Sequence, residues 1–424
     1  MSLKIFVTIL FFFSFVCISV SNADVPVLRK MDNEENSVSL FSDKRTKKGS
    51  ANAYESLREL EKEMKSGVDD ISFPVMFSKY LTGCMDLNEH KKAKGFFLTL
   101  AEENPKSPHA ITAKGIVTYG WWAENVLRHG LKKIDEAILI DKEAFFPRLC
   151  RAIYLSCLPG KFTVSIDEFN TLLETEKENT SNLLDVYSNL IRVYGEHGHY
   201  DIIEQVNKKL QKTERHIFKK INYSNTKSIV NIMYDSEIIK PHYPIVNNAN
   251  TKRTNTSKDK HLSGDLTILE KSMERKVDDE AFGDIYKRYI LLINQYQEAN
   301  RAINFFENLT ERYPQSPNAL AASGMITYGL KGQILLQKGL VCIKSAIELE
   351  KDNFFSRISH ATFNTRFPYG FMRSMRELSF MKQAEAGVHH RVRLINKRIE
   401  LICSQHGHDS MPTENNESVI MRRL

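Results

Sequence analysis

Glycine and proline are scarce in this chain, with 19 and 12 among 424 residues. Together they make up about 7% of the residues, against roughly 12% in average proteins. Because strands of an all-β protein are joined by turns rich in these residues, the scarcity argues against many short strands and favours long helices. The apolar and charged fractions, 42% and 26%, are typical of a folded soluble protein and argue against disorder of the whole chain.

Cysteine is also sparse. The chain has six cysteines, and one of them, Cys17, lies in an N-terminal apolar stretch. The others are odd in number and widely spaced, which argues against a disulfide framework. Cys150 and Cys157 are about 10 Å apart along a helix, too far for a disulfide bond. We predict that most of these cysteines are buried apolar side chains.

Short catalytic and cofactor motifs are missing. The sequence has no G-x-S-x-G elbow, Walker loop, dinucleotide fingerprint, H-E-x-x-H or C-x-x-C. We therefore predict that the protein is not an enzyme and has no catalytic residue, cofactor or metal. The formal net charge of +7 is spread along the chain and does not indicate nucleic-acid binding.

The first 23 residues have the layout of a secretory signal peptide. Lys4 supplies a positive charge, and an apolar run from Ile5 to Val20 ends in small residues before Asp24. The alternative is a short N-terminal membrane anchor. No later stretch has the roughly 18 apolar residues of a membrane span. We expect an exported protein, periplasmic or secreted, without a membrane span after cleavage.

The chain contains an internal duplication. NPKSPHAITAKGIVTYG, which begins at Asn104, matches YPQSPNALAASGMITYG, which begins at Tyr313, at an offset of 209. The same offset relates residues 57–199 to residues 266–408 without a gap. Because chance matching does not keep one register over such a length, we infer a tandem duplication.

Both halves are predicted to be helical. Apolar residues such as Leu183, Val186, Leu190 and Val193 recur at helical spacing. The predicted organisation is a signal peptide at 1–23, a disordered segment at 24–52, a first helical half at 53–212, a linker at 213–262, a second helical half at 263–408 and a disordered tail at 409–424.

Bulky and small side chains alternate in a regular way near the start of each half. In the first half these residues are Phe77, Tyr80, Cys84, Ala93, Phe97, Leu100 and Pro105, and the second half repeats the pattern from Tyr286 to Pro314. This pattern resembles the tetratricopeptide repeat, a pair of antiparallel helices. The resemblance implies an all-α fold, an α-solenoid of TPR-like helix hairpins in two tandem duplicated halves. Further hairpins are expected from Pro108, from Phe145 and from about Leu184, the last without a full second helix in the second half.

A solenoid of this kind implies a concave face that binds peptides or protein segments. We expect aromatic and cationic residues of the first helices to contact such a partner. The candidates for partner binding are Tyr119, Trp122, Phe146, Arg148, Lys287, Tyr328, Phe355 and Arg357. In relatives that hold a C-terminal carboxylate, Lys287 would match the lysine of the clamp, but Leu291 replaces its asparagine, so that specificity is not carried over.

The sequence leaves alternatives open. The aromatic candidates are also explained as core residues, and the arginines as capping or partly buried side chains. Besides a non-enzymatic scaffold, the protein could be a small-molecule-binding accessory of an envelope transporter, with Tyr119, Trp122 and Arg148 lining a pocket. A helical-toroid enzyme acting on glycans and a secreted factor acting on host proteins are further alternatives. The sequence does not indicate the oligomeric state.

Each half also carries a His-Gly-His triplet, at 197–199 and at 406–408. We predict a turn there, because Gly198 lies where a hairpin needs a conformationally permissive residue. The alternative is a contribution of two imidazoles to a zinc or copper site, which requires further ligands.

Overall fold

The computed structural model describes residues 47–221, 257–296 and 298–408. The predicted signal peptide, most of the predicted linker and the predicted C-terminal tail lie outside these residues. The first described helix begins at Lys47, inside the segment predicted as disordered. Helices also extend to Ile221 and start from Ser257, at the two ends of the predicted linker.

Helices account for both halves of the described chain. The first half contains α1 (Lys47–Ser66), α2 (Phe73–Asp86), α3 (His90–Glu103), α4 (Pro108–Lys114), α5 (Trp122–Ile140), α6 (Phe145–Ser156), α7 (Phe162–Thr175), α8 (Thr180–Glu196) and α9 (Tyr200–Ile221). The second half contains α10 (Ser257–Arg275), α11 (Phe282–Tyr296), α12 (Ala299–Arg312), α13 (Pro317–Ser323), α14 (Gly329–Leu349), α15 (Phe354–Asn364), α16 (Gly370–Ala384) and α17 (His389–Gln405). No residue of the described ranges lies in a β-strand. The predicted all-α class built from helix hairpins is confirmed.

The Ser-Pro pairs of the two repeated motifs start helices, as predicted. Ser107 has an extended backbone, and its hydroxyl accepts a hydrogen bond from the backbone N–H of Ala110 at 3.1 Å. Ser316 caps α13 in the same way, accepting from Ala319 at 3.2 Å. The proline that follows each serine needs no hydrogen-bond acceptor in the first helical turn.

The prediction of a second hairpin from Pro108 is wrong. α4 continues without a break through a π-helical stretch at Gly115–Trp121 into α5, so residues 108–140 form one helical run. The second half repeats this arrangement, with a π-helical stretch at Gly324–Tyr328 between α13 and α14. A π-helix closes its hydrogen bonds over five residues and thus accommodates additional residues without a loop.

The described chain divides into two compact units that do not follow the two halves. The larger unit contains residues 124–333 and 364–408, and the smaller unit contains residues 47–123 and 334–363, each within the described ranges. Each unit therefore combines helices of both halves. The duplication is visible in sequence, whereas the units depend on which helices pack together.

The residues that carry the repeat pattern are buried in both halves. Ala93 and Ala302 are fully buried where neighbouring helices approach each other, and Phe97 and Phe306 are likewise inaccessible to solvent. Rings of Phe77 and Phe97 meet edge to face at 5.1 Å. These contacts confirm the predicted use of alternating small and bulky side chains. The described cysteines are free, and Cys84, Cys150 and Cys403 are buried.

Glycines allow direct backbone contact between helices inside each unit. In the larger unit, a Cβ atom on Gly324 would lie 2.6 Å from the carbonyl oxygen of Gly130, and one on Gly130 would lie 2.8 Å from that of Gly324. In the smaller unit, Gly115 and Gly339 approach each other in the same way, at 2.8 and 2.7 Å. Gly115 and Gly324 are equivalent in the duplication, so both units use the same pair of repeat positions.

Candidate functional site

Phe146 and Phe355, which were predicted as binding anchors, pack against aromatic rings of other helices, with Phe146 half-buried and Phe355 buried. In the larger unit the Phe146 ring meets the rings of Phe282 and Tyr286 edge to face, at 5.5 and 5.1 Å. In the smaller unit Phe355 is buried and meets Phe77 at 5.3 Å. Each phenylalanine therefore packs against the first hairpin of the other half, which is the core role given above as the alternative.

The remaining aromatic candidates are half-buried and have neighbours of their own. The ammonium group of Lys94 lies 4.3 Å from the centre of a Trp122 ring, a cation–π contact. The Tyr328 ring is parallel to that of His129 at 6.4 Å. Burial raises the pKa of Tyr119. Tyr119 and Trp122 belong to the smaller unit and Tyr328 to the larger.

The two arginine candidates differ in their surroundings. The Arg148 guanidinium donates a hydrogen bond to the Thr175 hydroxyl at 3.2 Å, which joins the two helices of the α6–α7 hairpin. Arg357 is partly exposed on α15. Arg148 lies in the larger unit and Arg357 in the smaller. The eight predicted binding residues are thus divided between the two units.

Lys287 contacts a face of α8 that was not predicted from the sequence to be part of a site. Its ammonium group forms an ion pair with Asp185 on α8, and the Asp185 side chain is only 8% exposed. A second carboxylate, that of Asp284, lies 3.3 Å from the same ammonium group. Burial raises the pKa of Asp185, and the Lys287 charge opposes that rise. The contact joins α8 of the first half to α11 of the second.

The same face of α8 continues as a buried polar strip toward the end of the helix. Asn189, Arg192 and Glu196 follow Asp185 at successive turns, and all of them are buried. One Arg192 nitrogen donates to both carboxylate oxygens of Glu196 at 2.9 Å. The Tyr369 ring lies over Gly195 nearby. The second half therefore covers this face with Lys287 and Tyr369.

Among the described residues, the equivalent face of α17 is much less covered. Leu394 and Leu401 correspond to Asp185 and Arg192 at the offset of 209, yet each leucine is 45% exposed. His390, Arg393 and Lys397 are also exposed or partly exposed on this side of the helix. We call these five residues the α17 outer face. The opposite side of α17 is its buried side and carries Ile395, Ile399, Ile402 and Cys403.

The two His-Gly-His triplets form turns, as predicted, and the structure brings the two turns together in the larger unit. Gly198 and Gly407 have φ angles of 84° and 75°, which glycine adopts without strain. A Cβ atom on Gly198 would lie 2.7 Å from the Phe371 ring, and one on Gly407 would lie 2.5 Å from the Phe162 ring. Glycine is thus required at both turns by conformation and by packing. We call this contact the histidine junction.

Four rings stack through the centre of the junction. Phe162 is parallel to His199 at 4.7 Å, His199 to His408 at 4.0 Å, and His408 to Phe371 at 4.6 Å. The His199 ring nitrogen Nε2 donates to the carbonyl oxygen of His406 at 2.7 Å. The His408 Nε2 donates to the carbonyl oxygen of His197, also at 2.7 Å. Each turn therefore binds the backbone of the other.

The junction favours neutral imidazoles. Burial lowers the pKa of His197 well below its usual value, and the neighbouring His406 ring adds to this effect. Burial also lowers the pKa of His199 and brings that of His406 to about 3. No three His, Cys, Asp or Glu side chains of the described ranges are grouped as a metal ion requires.

Comparison with known proteins gave little further information. No family model and no curated protein matches this sequence. Among solved structures, the crystal structure of yeast Tom70 aligns over 88% of this chain and 92% of its own, with 11% identity and a TM-score of 0.18. No helix of the described ranges is long and apolar enough to cross a membrane.

Proposed function

We propose that this protein is a non-enzymatic helical-repeat scaffold and that the α17 outer face binds a segment of a partner protein. The observation that carries the proposal is the contrast between two equivalent helix faces in one unit. The face of α8 is covered by residues of the other half, whereas the face of α17 exposes Leu394 and Leu401, two turns apart. Apolar side chains repeated at this spacing are typical of helix-in-groove recognition.

The charges on the covered face of α8 and on the α17 outer face indicate which charge a partner of the α17 outer face should carry. On α8, Asp185 holds a lysine that comes from a neighbouring helix. On α17 the two cations Arg393 and Lys397 outnumber the one exposed carboxylate, Glu400, beside the exposed leucines. An amphipathic helix with carboxylates next to its apolar residues complements this face, because opposite charges steer association and fix the register. We therefore commit to an acidic amphipathic helix of another protein as the occupant.

The test is a titration of the purified chain with synthetic probes. The first probe is an amphipathic peptide with Leu on one stripe and Glu beside it, and the second has Lys in place of each Glu. Anionic phospholipid vesicles and duplex DNA test the two other polyanions that a basic face attracts. Fluorescence anisotropy and vesicle sedimentation measure binding.

The proposal expects saturable binding of the Glu peptide and at least about tenfold weaker binding of the Lys peptide. Leu394→Ala with Leu401→Ala, and Lys397→Glu, should each weaken binding of the Glu peptide by about tenfold. Leu139→Ala removes a leucine that is 74% exposed on α5 and should leave binding unchanged. Equal binding by all variants, or binding to vesicles or DNA alone, contradicts the proposal.

Export belongs to the same proposal and is supported by the N-terminal sequence. A positive residue, an apolar run and small residues before Asp24 make up a cleavable signal. Amino-terminal sequencing of the protein from its native source should start at Asp24. A start at residue 1 or 2 in an intracellular fraction would contradict export but leave the α17 outer face unaffected.

The small-molecule alternative has less support. Its pocket requires Tyr119, Trp122 and Arg148 together, and Trp122 already contacts Lys94. Thermal-shift screening of the full chain tests it, since a ligand that binds the folded state raises the melting temperature.

A further inference from the structure

The histidine junction has a property that the proposed binding role does not use. Four imidazoles meet where the turn after α8 touches the turn after α17. Their ring centres are 4.0 Å apart in the His199–His408 pair and 4.6 Å apart in the His197–His406 pair. Histidine is the side chain whose charge changes nearest to neutral pH. If the packing of the rings opposes protonation, acid should destabilise the contact between the two turns.

The hydrogen bonds show where an added proton would go. His199 and His408 each donate through Nε2 to a backbone carbonyl of the other turn, and His197 donates through Nε2 to the Ser156 carbonyl at 3.0 Å. A carbonyl only accepts, so Nε2 carries the proton in the neutral ring and Nδ1 is the basic atom. The Nδ1 atoms of His197 and His406 are buried and have no hydrogen-bond partner in the described chain.

Charges around the junction do not compensate for added protons. Among the described residues, the other titratable and charged groups that act on these rings are Arg192 on His197, and Tyr194 and Asp201 on His199. Glu196 is already paired with Arg192. The charge of Arg192 lowers the pKa of His197 further. The charge of Asp201 raises the pKa of His199, but this effect is smaller than the lowering that burial causes.

We propose that the histidine junction is an acid-sensitive latch, in which protonation of the imidazoles separates the turn at 197–199 from the turn at 406–408. Two imidazolium rings in face contact repel each other, and a proton on a buried Nδ1 has no acceptor. In the open state the rings of His197, His199 and His406 reach solvent and regain their ordinary affinity for protons. The linkage therefore favours opening as the pH falls below about 6.5, the value of a solvated histidine.

The latch is local. The α8–α9 and α16–α17 pairs pack along their lengths, and the apolar core of α17 does not titrate. Acid should therefore release the two turns before it unfolds the helices. The proposal does not depend on the peptide-binding role of the α17 outer face.

The experiment is hydrogen–deuterium exchange of the full chain, read by mass spectrometry between about pH 7.5 and about pH 5. Labelling times are scaled for the slower intrinsic exchange at lower pH. The proposal expects exchange of the peptides that contain residues 197–200 and 406–408 to rise by about tenfold or more. Peptides from α12, which contains no histidine, should keep their protection.

Two variants distinguish the histidines from other acid-sensitive groups. His199→Gln with His408→Gln keeps an N–H donor for each carbonyl but removes two of the four imidazoles, so the rise in exchange of its turns at low pH should be clearly smaller than in the native chain. His389→Gln with His390→Gln changes two exposed histidines of α17 and should open like the native chain. If the first pair does not fold, as judged by circular dichroism, His199→Gln alone replaces it.

Three results would overturn the latch. The native turns could stay closed at about pH 5, the glutamine variant could open as the native chain does, or the whole chain could lose protection together with the turns. The first result removes the acid response, the second assigns it to other groups, and the third makes it ordinary acid unfolding.

Discussion

Leu394 occupies on α17 the position that Asp185 occupies on α8, but Leu394 is 45% exposed whereas Asp185 is buried and bound to Lys287. Duplication has produced two copies of one helix face, and the first copy is covered much more by other described parts of the larger unit. The less covered copy has exchanged a carboxylate for a leucine and has gained cationic neighbours. This difference is the basis of the proposed docking role.

The first prediction concerns the repeat core. Phe97 is completely buried between helices of the first hairpin, so Phe97→Ala should lower the free energy of unfolding by about 3–5 kcal/mol. Phe380→Ala removes a ring that is 60% exposed on α16 and should change stability by less than about 0.5 kcal/mol. Urea denaturation of both variants measures the difference. Equal effects would contradict the repeat packing.

The second prediction concerns the contact of Gly130 with Gly324. Gly324→Ala places a methyl group 2.6 Å from a backbone oxygen, so it should cost about 1–3 kcal/mol of stability. Gly95→Ala lies on α3 with open space around its Cβ position and should stabilise the protein by about 0.5–1 kcal/mol. Denaturation curves at neutral pH measure the change in the free energy of unfolding for both variants. A stabilising Gly324→Ala would show that the helices do not touch there.

The third prediction concerns the buried ion pair. Lys287→Ala leaves the Asp185 carboxylate without its cation, and we expect a loss of about 2–3 kcal/mol at neutral pH. The loss relative to the native protein should shrink toward about pH 4, because burial raises the pKa of Asp185 and the carboxyl then takes up a proton in the folded state. Lys208→Ala removes an exposed partner of Glu204 and should cost about 0.5 kcal/mol or less. A loss that grows on acidification contradicts this account.

The fourth prediction uses the second half as a guide to the first. His109 stacks on Phe73 at 5.3 Å and contacts the Val68 carbonyl through Nδ1 at 3.1 Å. The equivalent residue, Asn318, donates to the Val277 carbonyl at 3.0 Å. His109→Asn should therefore keep the hydrogen bond and lose the ring contact, at a cost of about 1 kcal/mol at neutral pH.

The same variant has a defined pH dependence. Burial lowers the pKa of His109 in the folded state, so the native protein loses stability as the pH falls below about 6.5, where the unfolded chain takes up the proton. Asparagine does not titrate, and the variant should lose less. The difference between the two proteins, measured by urea denaturation at several pH values, should shrink as the pH falls. A constant difference would show that His109 is not held in its neutral form.

Local signals in the sequence predicted local structure well. The Ser-Pro pairs at Ser107 and Ser316 specify helix starts because the cap and the proline act within one turn. Gly198 specifies a turn through its positive φ angle. The buried positions of Phe97 and Phe306 followed from the repeat pattern, which is repeated within the sequence itself.

Contacts between the two halves were not predictable from the sequence alone. The π-helical stretch from Gly115 carries no turn or break signal, so the second hairpin was predicted wrongly. Phe146 was interpreted as a binding residue because its partners, Phe282 and Tyr286, are distant in sequence. The sequence shows that Leu394 does not share the helix face of Ile395, Ile399 and Ile402 on α17. Whether Leu394 is exposed depends on tertiary packing, which the sequence does not show.

The most direct test of the docking role is photo-cross-linking in the native source of the protein, with a benzophenone amino acid at Lys397 and, as a control, at Lys208. The account predicts a cross-link from Lys397, and none from Lys208, to another protein, mapped to a helical segment with clustered Asp or Glu beside leucines. Cross-links of equal yield from both positions, or from Lys397 to lipid, to nucleic acid or to no partner, would contradict it.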